Sequence, residues 1–173
     1  MKSQKKCTIL TGLLAVMVLA AALPALCAEP PPAKDGWLIA AFPLEDLAPA
    51  EGTKGLGEEI AATLTDGFAR SGKVRVVERK RLQPILEEIK LSAYGLVDER
   101  TAIQAGRLLG ANALVLGSFL KFGDSVRINV RVVKTETGEI MTTERASGKF
   151  SALFDLAEKL AAGILPRLHA PPP

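Results

Sequence analysis

Residues 113–133 read ALVLGSFLKFGDSVRINVRVV, and this stretch decides the fold. The first eight residues are mostly apolar, whereas apolar and polar residues alternate strictly after position 125. The alternating apolar residues are Val126, Ile128, Val130 and Val132. A period of two predicts a strand with one buried face. Because Gly123-Asp124 separates the two halves, we expect a tight hairpin here.

The sequence after the hairpin predicts one more strand and a final helix. Residues 136–138 (ETG) are a turn signal, and residues 140–146 form a weaker strand that completes an antiparallel meander. Ser151 is expected to cap a last amphipathic helix. Its inward-facing residues are Leu153, Leu156, Ala157, Leu160, Ile164 and Leu168.

The sequence before the hairpin predicts strands joined by helices. Residues 37–42 are a continuous apolar run ended by Pro43, as expected for an interior strand covered on both faces. An apolar stripe then predicts an amphipathic helix that stops at Ser71-Gly72. The stripe consists of Leu56, Ile60, Leu64 and Phe68. Residues 74–77 follow as a short second strand.

Two more helices are predicted between the second strand and the hairpin. The first should begin within a few residues of Arg79, with Pro84 near its first turn, where proline is tolerated. The second is expected to be capped by Asp98 and closed by Gly110, and Gly106 indicates close packing. The order is β-α-β-α-α-β-β-β-α. It predicts the α/β (α+β) class, with a mixed sheet of about five strands and helices packed on it.

The amino terminus has the order of a Sec signal peptide. Lys2, Lys5 and Lys6 precede an apolar stretch that ends at Ala28, and residues 1–28 contain no Asp or Glu. The stretch is also just long enough to span a bilayer, so an uncleaved N-terminal anchor is the alternative. Both alternatives place the rest of the chain outside the cytoplasm, because retained positive charge sets the orientation. We therefore expect a periplasmic protein, with outer-membrane tethering depending on lipidation.

Cys27 is the candidate lipidation site, because residues 24–27 (PALC) end on Cys as a lipoprotein signal does. Leu26 stands where a small residue normally precedes that Cys, so cleavage after Cys27 or Ala28 without lipid is the alternative. At most Cys27 remains after processing, which excludes an internal disulfide. Residues 29–35 are then a Pro-rich spacer, residues 36–168 one domain and residues 169–173 a disordered tail.

The charge of the mature chain argues against nucleic acid as a partner. The whole chain has a formal net charge of +3, which falls to zero once the three leader lysines are removed. A neutral domain lacks the basic surface of a nucleic-acid binder. Contact with the membrane is expected only through the leader or a lipid on Cys27.

The residue inventory predicts no enzymatic activity, metal or cofactor. His169 is the only histidine and lies in the predicted tail, so nucleophilic catalysis lacks a base. His/Cys clusters are absent and the acidic residues are scattered. Residues 52–57 (GTKGLG) precede a helix, but they match neither phosphate-binding motif; an ordinary turn or a weak anion site are the two interpretations.

Five charged residues remain as candidate partner contacts. Glu45 and Asp46 follow the first strand, where open α/β sheets often place ligand groups, although adjacent strand residues point to opposite faces. Arg79 lies in a basic cluster before a helix. Arg127 and Arg131 line one face of a predicted strand and could pair with a neighbouring subunit. Solvated surface charge is the alternative for each of them.

Four segments carry a resemblance to a known family: residues 41–47 (AFPLEDL), 70–79 (RSGKVRVVER), 106–118 (GRLLGANALVLGS) and 132–140 (VVKTETGEI). Together they resemble the curli-secretion lipoprotein family (CsgG-like), with Lys134 where an acidic or polar residue is common. The likeness extends over nearly all of residues 36–168. Similar cores occur in a flagellar outer-membrane protein, a lipoprotein that activates penicillin-binding proteins and the amino-terminal domain of TolB.

The resemblance implies a non-enzymatic, periplasm-facing assembly or secretion accessory protein that acts through contacts with envelope proteins or with copies of itself. The alternative is a regulator that binds and activates a cell-wall synthase. Pore-forming family members add membrane-spanning hairpins to this core. Because the strands between residues 114 and 150 look short and tightly connected, we expect no such hairpins here.

Overall fold

A computed structural model describes residues 36–88 and 99–168, all within the unit formed by residues 33–173. The expected leader, spacer, lipidation site at Cys27, helix cap at Asp98, tail and His169 lie outside the described residues. None of the described helices is long and apolar enough to cross a membrane.

Six strands form one open, mixed sheet within the described residues. They are β1 Leu38–Ala41, β2 Glu45–Asp46, β3 Arg75–Val76, β4 Ala113–Phe122, β5 Ser125–Lys134 and β6 Ile140–Lys149. The order across the sheet is β3-β1-β4-β5-β6, with β2 paired to β4. β1 is parallel to β3 and β4, whereas β4, β5 and β6 form an antiparallel meander. The fold class predicted from the sequence is confirmed.

Four α-helices are described: α1 Leu56–Arg70, α2 Arg79–Glu88, α3 Glu99–Leu109 and α4 Leu153–Ile164. Short 3-10 turns lie at Glu51–Thr53, Phe150–Ala152 and Leu165–Arg167. Helix α1 ends before Gly72, and α3 before Gly110, and both glycines have the positive φ that such helix ends require. A Cβ on Gly106 would lie 2.5 Å from Leu114 Cδ2, which confirms close packing.

The sheet is covered unequally on its two faces. α1 and α4 pack on one face along its whole width, with Leu64, Phe119 and Ile128 at the centre of that core. α2 and α3 pack on the other face over β1, the first half of β4 and Val133 at the end of β5, around Phe42 and Leu114. The parallel half therefore has three layers, and the antiparallel half has two.

The sheet predicted with about five strands has six, because the chain resumes pairing with β4 at Glu45 after Pro43. Two other local expectations need correction. The meander strands have ten residues each and are not short. Pro84 is the sixth residue of α2, beyond its first turn. The length of the strands therefore no longer argues against pore hairpins, although β5 pairs on both sides within the domain's own sheet.

Ser151 does not cap α4, contrary to the expectation from the sequence. The N-cap is Ala152, without a side-chain hydrogen bond. Strand β6 continues to Lys149, and Phe150 N–H donates to Asp124 O at 2.8 Å. This bond favours the 3-10 turn that contains Ser151, and α4 begins only after it.

Asn112 joins β1 to the meander. Its Oδ1 accepts a hydrogen bond from Leu38 N at 2.5 Å, and its own N–H donates to Leu38 O at 3.0 Å. Its carbonyl accepts from Thr135 N at 3.0 Å. The side chain thus satisfies a part-buried backbone donor that the sheet leaves unpaired.

We expect Asn112→Leu to lower the free energy of unfolding by about 1 to 3 kcal/mol, because Leu38 N–H loses its acceptor. Asn112→Asp keeps an acceptor oxygen at the same position and should retain most of the stability. Urea denaturation of both variants checks this. Equal stability of the leucine and wild-type proteins would contradict the assigned role.

Candidate interaction face

Apart from the start of α3 beside Arg131, no described helix covers the side of the meander that faces away from α1 and α4, and we call this side the open face. It follows from strand alternation, since the neighbouring residues of each strand point into the covered core. Its residues are Ser118, Leu120 and Phe122 on β4, Ser125, Arg127, Asn129 and Arg131 on β5, and Thr143, Arg145, Ser147 and Lys149 on β6.

Polar side chains form a row across the middle of the open face. Ser118 pairs with Glu45 on one side and with Asn129 on the other, and Asn129 pairs with Arg145. Paired residues of neighbouring strands share a face, so Glu45 belongs to this row. Asp46 pairs with Phe119 and points to the opposite side, where its Oδ1 accepts from Ala48 N at 3.0 Å. The structure therefore separates the two adjacent carboxylates.

The open face is mainly cationic. Arg127, Arg145 and Lys149 are exposed and form no ion pair with any described residue. Arg131 lies 3.4 Å from Glu99 at the start of α3, and its Nε is buried without a hydrogen-bond partner in the described structure. Of the two arginines predicted on this strand, Arg127 is thus free and Arg131 is held at the border of α3.

Apolar side chains occupy the β4 side of the open face. Phe122 is 84% exposed, and Leu120, two residues before it, is half-buried on the same face. The sequence interpretation missed Leu120 because it treated residues 113–120 as one apolar run, and it missed Phe122 because it ended the strand before that residue. The alternation of Leu116, Ser118, Leu120 and Phe122 could have indicated them. An exposed aromatic beside unpaired cations is typical of a protein-binding surface.

The open face offers contacts rather than reactive groups. A shallow depression of about 410 Å³ lies at its centre, between Ser118, Asn129 and Arg145. Within residues 36–88 and 99–168, no cluster of acidic, His or Cys side chains could hold a metal ion. The depression presents an hydroxyl, an amide and a guanidinium, which suit hydrogen bonding to a polar or acidic partner.

Arg79 lies away from the open face. Its guanidinium forms an ion pair with Glu58 of α1, beside a groove of about 290 Å³ between α1 and α2. On the far side of α1, Arg70 pairs with Glu158 of α4 at 2.7 Å, and this hydrogen bond together with the negative charge raises the pKa of Arg70. The structure therefore brings Glu45, Arg127 and Arg131 to one face and places Arg79 elsewhere.

Fold and face together define an α+β domain whose mixed sheet is covered by helices on one side and partly open on the other. The chain is similar to the family described as curli production assembly/transport component CsgG, whose model matches residues 44–127, from Leu44 before β2 into β5. The resemblance drawn from the sequence is thereby confirmed. No curated protein matches the sequence at a significant level.

Solved structures show the same fold at low sequence identity. The LpoB C-terminal domain from Salmonella enterica is 18% identical, with a TM-score of 0.53 over 67% of this chain and 84% of that one. The corresponding Escherichia coli domain is 19% identical, with a TM-score of 0.54 over 66% and 84%. TolB from Acinetobacter baumannii is 13% identical, with a TM-score of 0.50 over 79% of this chain and 30% of that one.

Proposed function

We propose that this protein is a non-enzymatic accessory protein of the bacterial cell envelope. It supports the assembly or secretion of a surface structure through protein-protein contacts, in the periplasm or at the outer membrane, and forms no pore of its own. The open face carries the proposal, because it exposes a large aromatic side chain beside unpaired cations. A sheet face that no helix of the described residues covers, with Phe122 84% exposed, is a surface that a partner would bury.

The chemistry of the open face favours an acidic protein partner. Arg127, Arg145 and Lys149 lack ion-pair partners among the described residues, so a partner's carboxylates could meet them without displacing an existing bond. Phe122 would serve as the apolar anchor at one end of the contact. The predicted leader and the description of the matching family both support a location in the envelope.

A lipoprotein-type regulator that binds and activates a cell-wall synthase is the second candidate. The observation that favours it is the agreement in fold with the LpoB C-terminal domains over 84% of their chains. Such a regulator would also act by contact alone and would use the same open face. The two candidates therefore differ in the partner and not in the surface.

We expect Arg127→Glu combined with Arg145→Glu to reduce partner recovery at least tenfold in a pull-down of the tagged full chain from membranes. Lys54→Glu combined with Lys159→Glu changes the charge equally on exposed sites outside the open face and should leave recovery unchanged. Secretion or flagellar components in the eluate favour assembly, whereas a peptidoglycan synthase favours the regulator. Equal recovery by both double variants would contradict a role for the open face.

Self-association is a separate part of the proposal. Size-exclusion chromatography with light scattering measures it directly on the full chain. A mass that rises in steps with concentration supports an oligomer. A strict monomer at high concentration would contradict the ring-forming version while leaving contacts with other proteins intact.

A further inference from the structure

The chain enters the domain at one end of the sheet, which we call the base. Gly36 and Trp37 precede β1, and the start of β1 is paired with the start of β3 through Leu38 and Arg75 and hydrogen-bonded to Asn112 before β4. Because β4 runs parallel to β1, its carboxyl end and the β4–β5 turn lie at the opposite end, the tip. Ten residues of strand separate base and tip by roughly 33 Å.

Cationic side chains gather at the base. Lys73, Arg75 and Arg107 are exposed and form no ion pair with a described residue. Arg107 lies at the base because its Nη2 donates to Glu136 O at 3.2 Å, just after β5 ends. The carboxylates here are Glu136, 3.9 Å from the ammonium of Lys134, and Glu139. Glu136 lies beside both Arg107 and Lys134, so the positive excess is largest at Lys73 and Arg75, around the start of β3.

Two exposed aliphatic side chains accompany these charges. Leu108, beside Arg107 at the end of α3, is 62% exposed, and Ile140, at the start of β6, is 51% exposed. Cations combined with protruding aliphatic groups match a bilayer surface, where phosphates attract the former and the acyl boundary accepts the latter. The length of chain before the domain agrees with this, since residues 29–35 extend at most about 25 Å from the predicted anchor.

We propose that the base binds the surface of an anionic phospholipid bilayer, with Lys73, Arg75 and Arg107 on headgroup phosphates and Leu108 at the acyl boundary. The domain then stands on the membrane with its tip and Phe122 directed away from it. This inference is independent of the partner of the open face. It departs from the expectation that the membrane is contacted only through the leader or a lipid on Cys27.

The single tryptophan of the chain provides the probe. Trp37 is at the base and is 6% exposed, so quenchers in the lipid reach its fluorescence only when the base approaches the bilayer. The full chain would be mixed with vesicles of phosphatidylglycerol and phosphatidylethanolamine, or of phosphatidylcholine alone, each with shallow doxyl-labelled lipid. We expect stronger quenching with the anionic vesicles and its loss at high salt. Equal quenching in both kinds of vesicle would overturn the proposal.

Two triple variants with the same change in net charge test whether binding depends on the base or on the total charge of the protein. Lys73→Glu with Arg75→Glu and Arg107→Glu should weaken binding to anionic vesicles by roughly a hundredfold, at about fivefold per cation removed. Lys54→Glu with Lys80→Glu and Arg100→Glu makes the same charge change at exposed sites away from the base and from the open face, and should preserve the quenching. Equal losses in both triples would overturn the proposal. If the first triple fails to fold, the three glutamine substitutions at the same sites give the same comparison.

Discussion

Replacing Gly57 with alanine is expected to lower the free energy of unfolding by about 3 kcal/mol or more, enough to unfold a marginal domain. A Cβ at this position would lie 2.0 Å from Leu44 O and 3.0 Å from Leu44 C. Both are backbone atoms, and Leu44 N–H also donates to Gly57 O at 3.1 Å. The first turn of α1 therefore rests directly on the segment between β1 and β2, and relief of the clash requires that contact to open.

The predicted loss of stability in Gly57→Ala is opposite to the change that helix propensity alone would give. Gly→Ala within a helix normally stabilises by about 1 kcal/mol, so a large loss isolates the steric contact. Gly52→Ala is the matched control, because a Cβ added at that residue would have no neighbour within 4 Å. Urea denaturation followed by circular dichroism measures both variants. A Gly57→Ala protein as stable as the Gly52→Ala protein would show that α1 does not rest on Leu44.

Phe119→Ala should cost about 3 to 5 kcal/mol, because it leaves a cavity at the centre of the main core. Phe119 is fully buried on the covered face of β4, between the helices α1 and α4 and the sheet. The same denaturation experiment checks the loss. A change below about 1 kcal/mol would mean that the surrounding core collapses into the space.

Phe122→Ala is the natural comparison, three residues further along the same strand. Phe122 is 84% exposed, so its removal should change stability by no more than about 0.5 kcal/mol. If Phe122 anchors a partner, the variant should instead lose affinity in the pull-down. Together the two substitutions distinguish a residue needed for stability, on the covered face of β4, from a residue proposed to bind a partner, on its open face.

The sequence predicts the meander and the helices because their patterns are local. Alternation in residues 125–133 and the stripe of α1 each specify which side of an element is buried. Strand β2 could not be predicted, because two residues are too few to show an alternation of apolar and polar side chains. Its existence depends on pairing with Ser118 and Phe119, which are distant in sequence. Likewise, Pro84 is tolerated inside α2 at a position that propensity alone would reject.

The sequence predicts only part of the open face, because strand β6 shows no clear alternation of apolar and polar residues. Residues on its covered side include Thr142, Ala146 and Gly148, which are too small or polar to display an apolar alternation. Helix α4 approaches closely there, since a Cβ on Gly148 would lie 3.2 Å from Leu156 Cδ1. These small residues allow helix α4 to pack closely, but they leave β6 without a visible alternation of apolar and polar residues. The sequence therefore does not show which face of the sheet Arg145 lies on.

The two borders of the sheet differ in what they can accept. β3, at one border, has two residues, whereas β6, at the other, has ten. Another extended chain could hydrogen-bond along β6 over a useful length but would find almost no backbone to continue on at β3. A sheet shared between copies could therefore include the β6 edge of one domain, but it could not continue through that domain and out at β3. Any closed ring of copies would be held by side chains rather than by continuous backbone pairing.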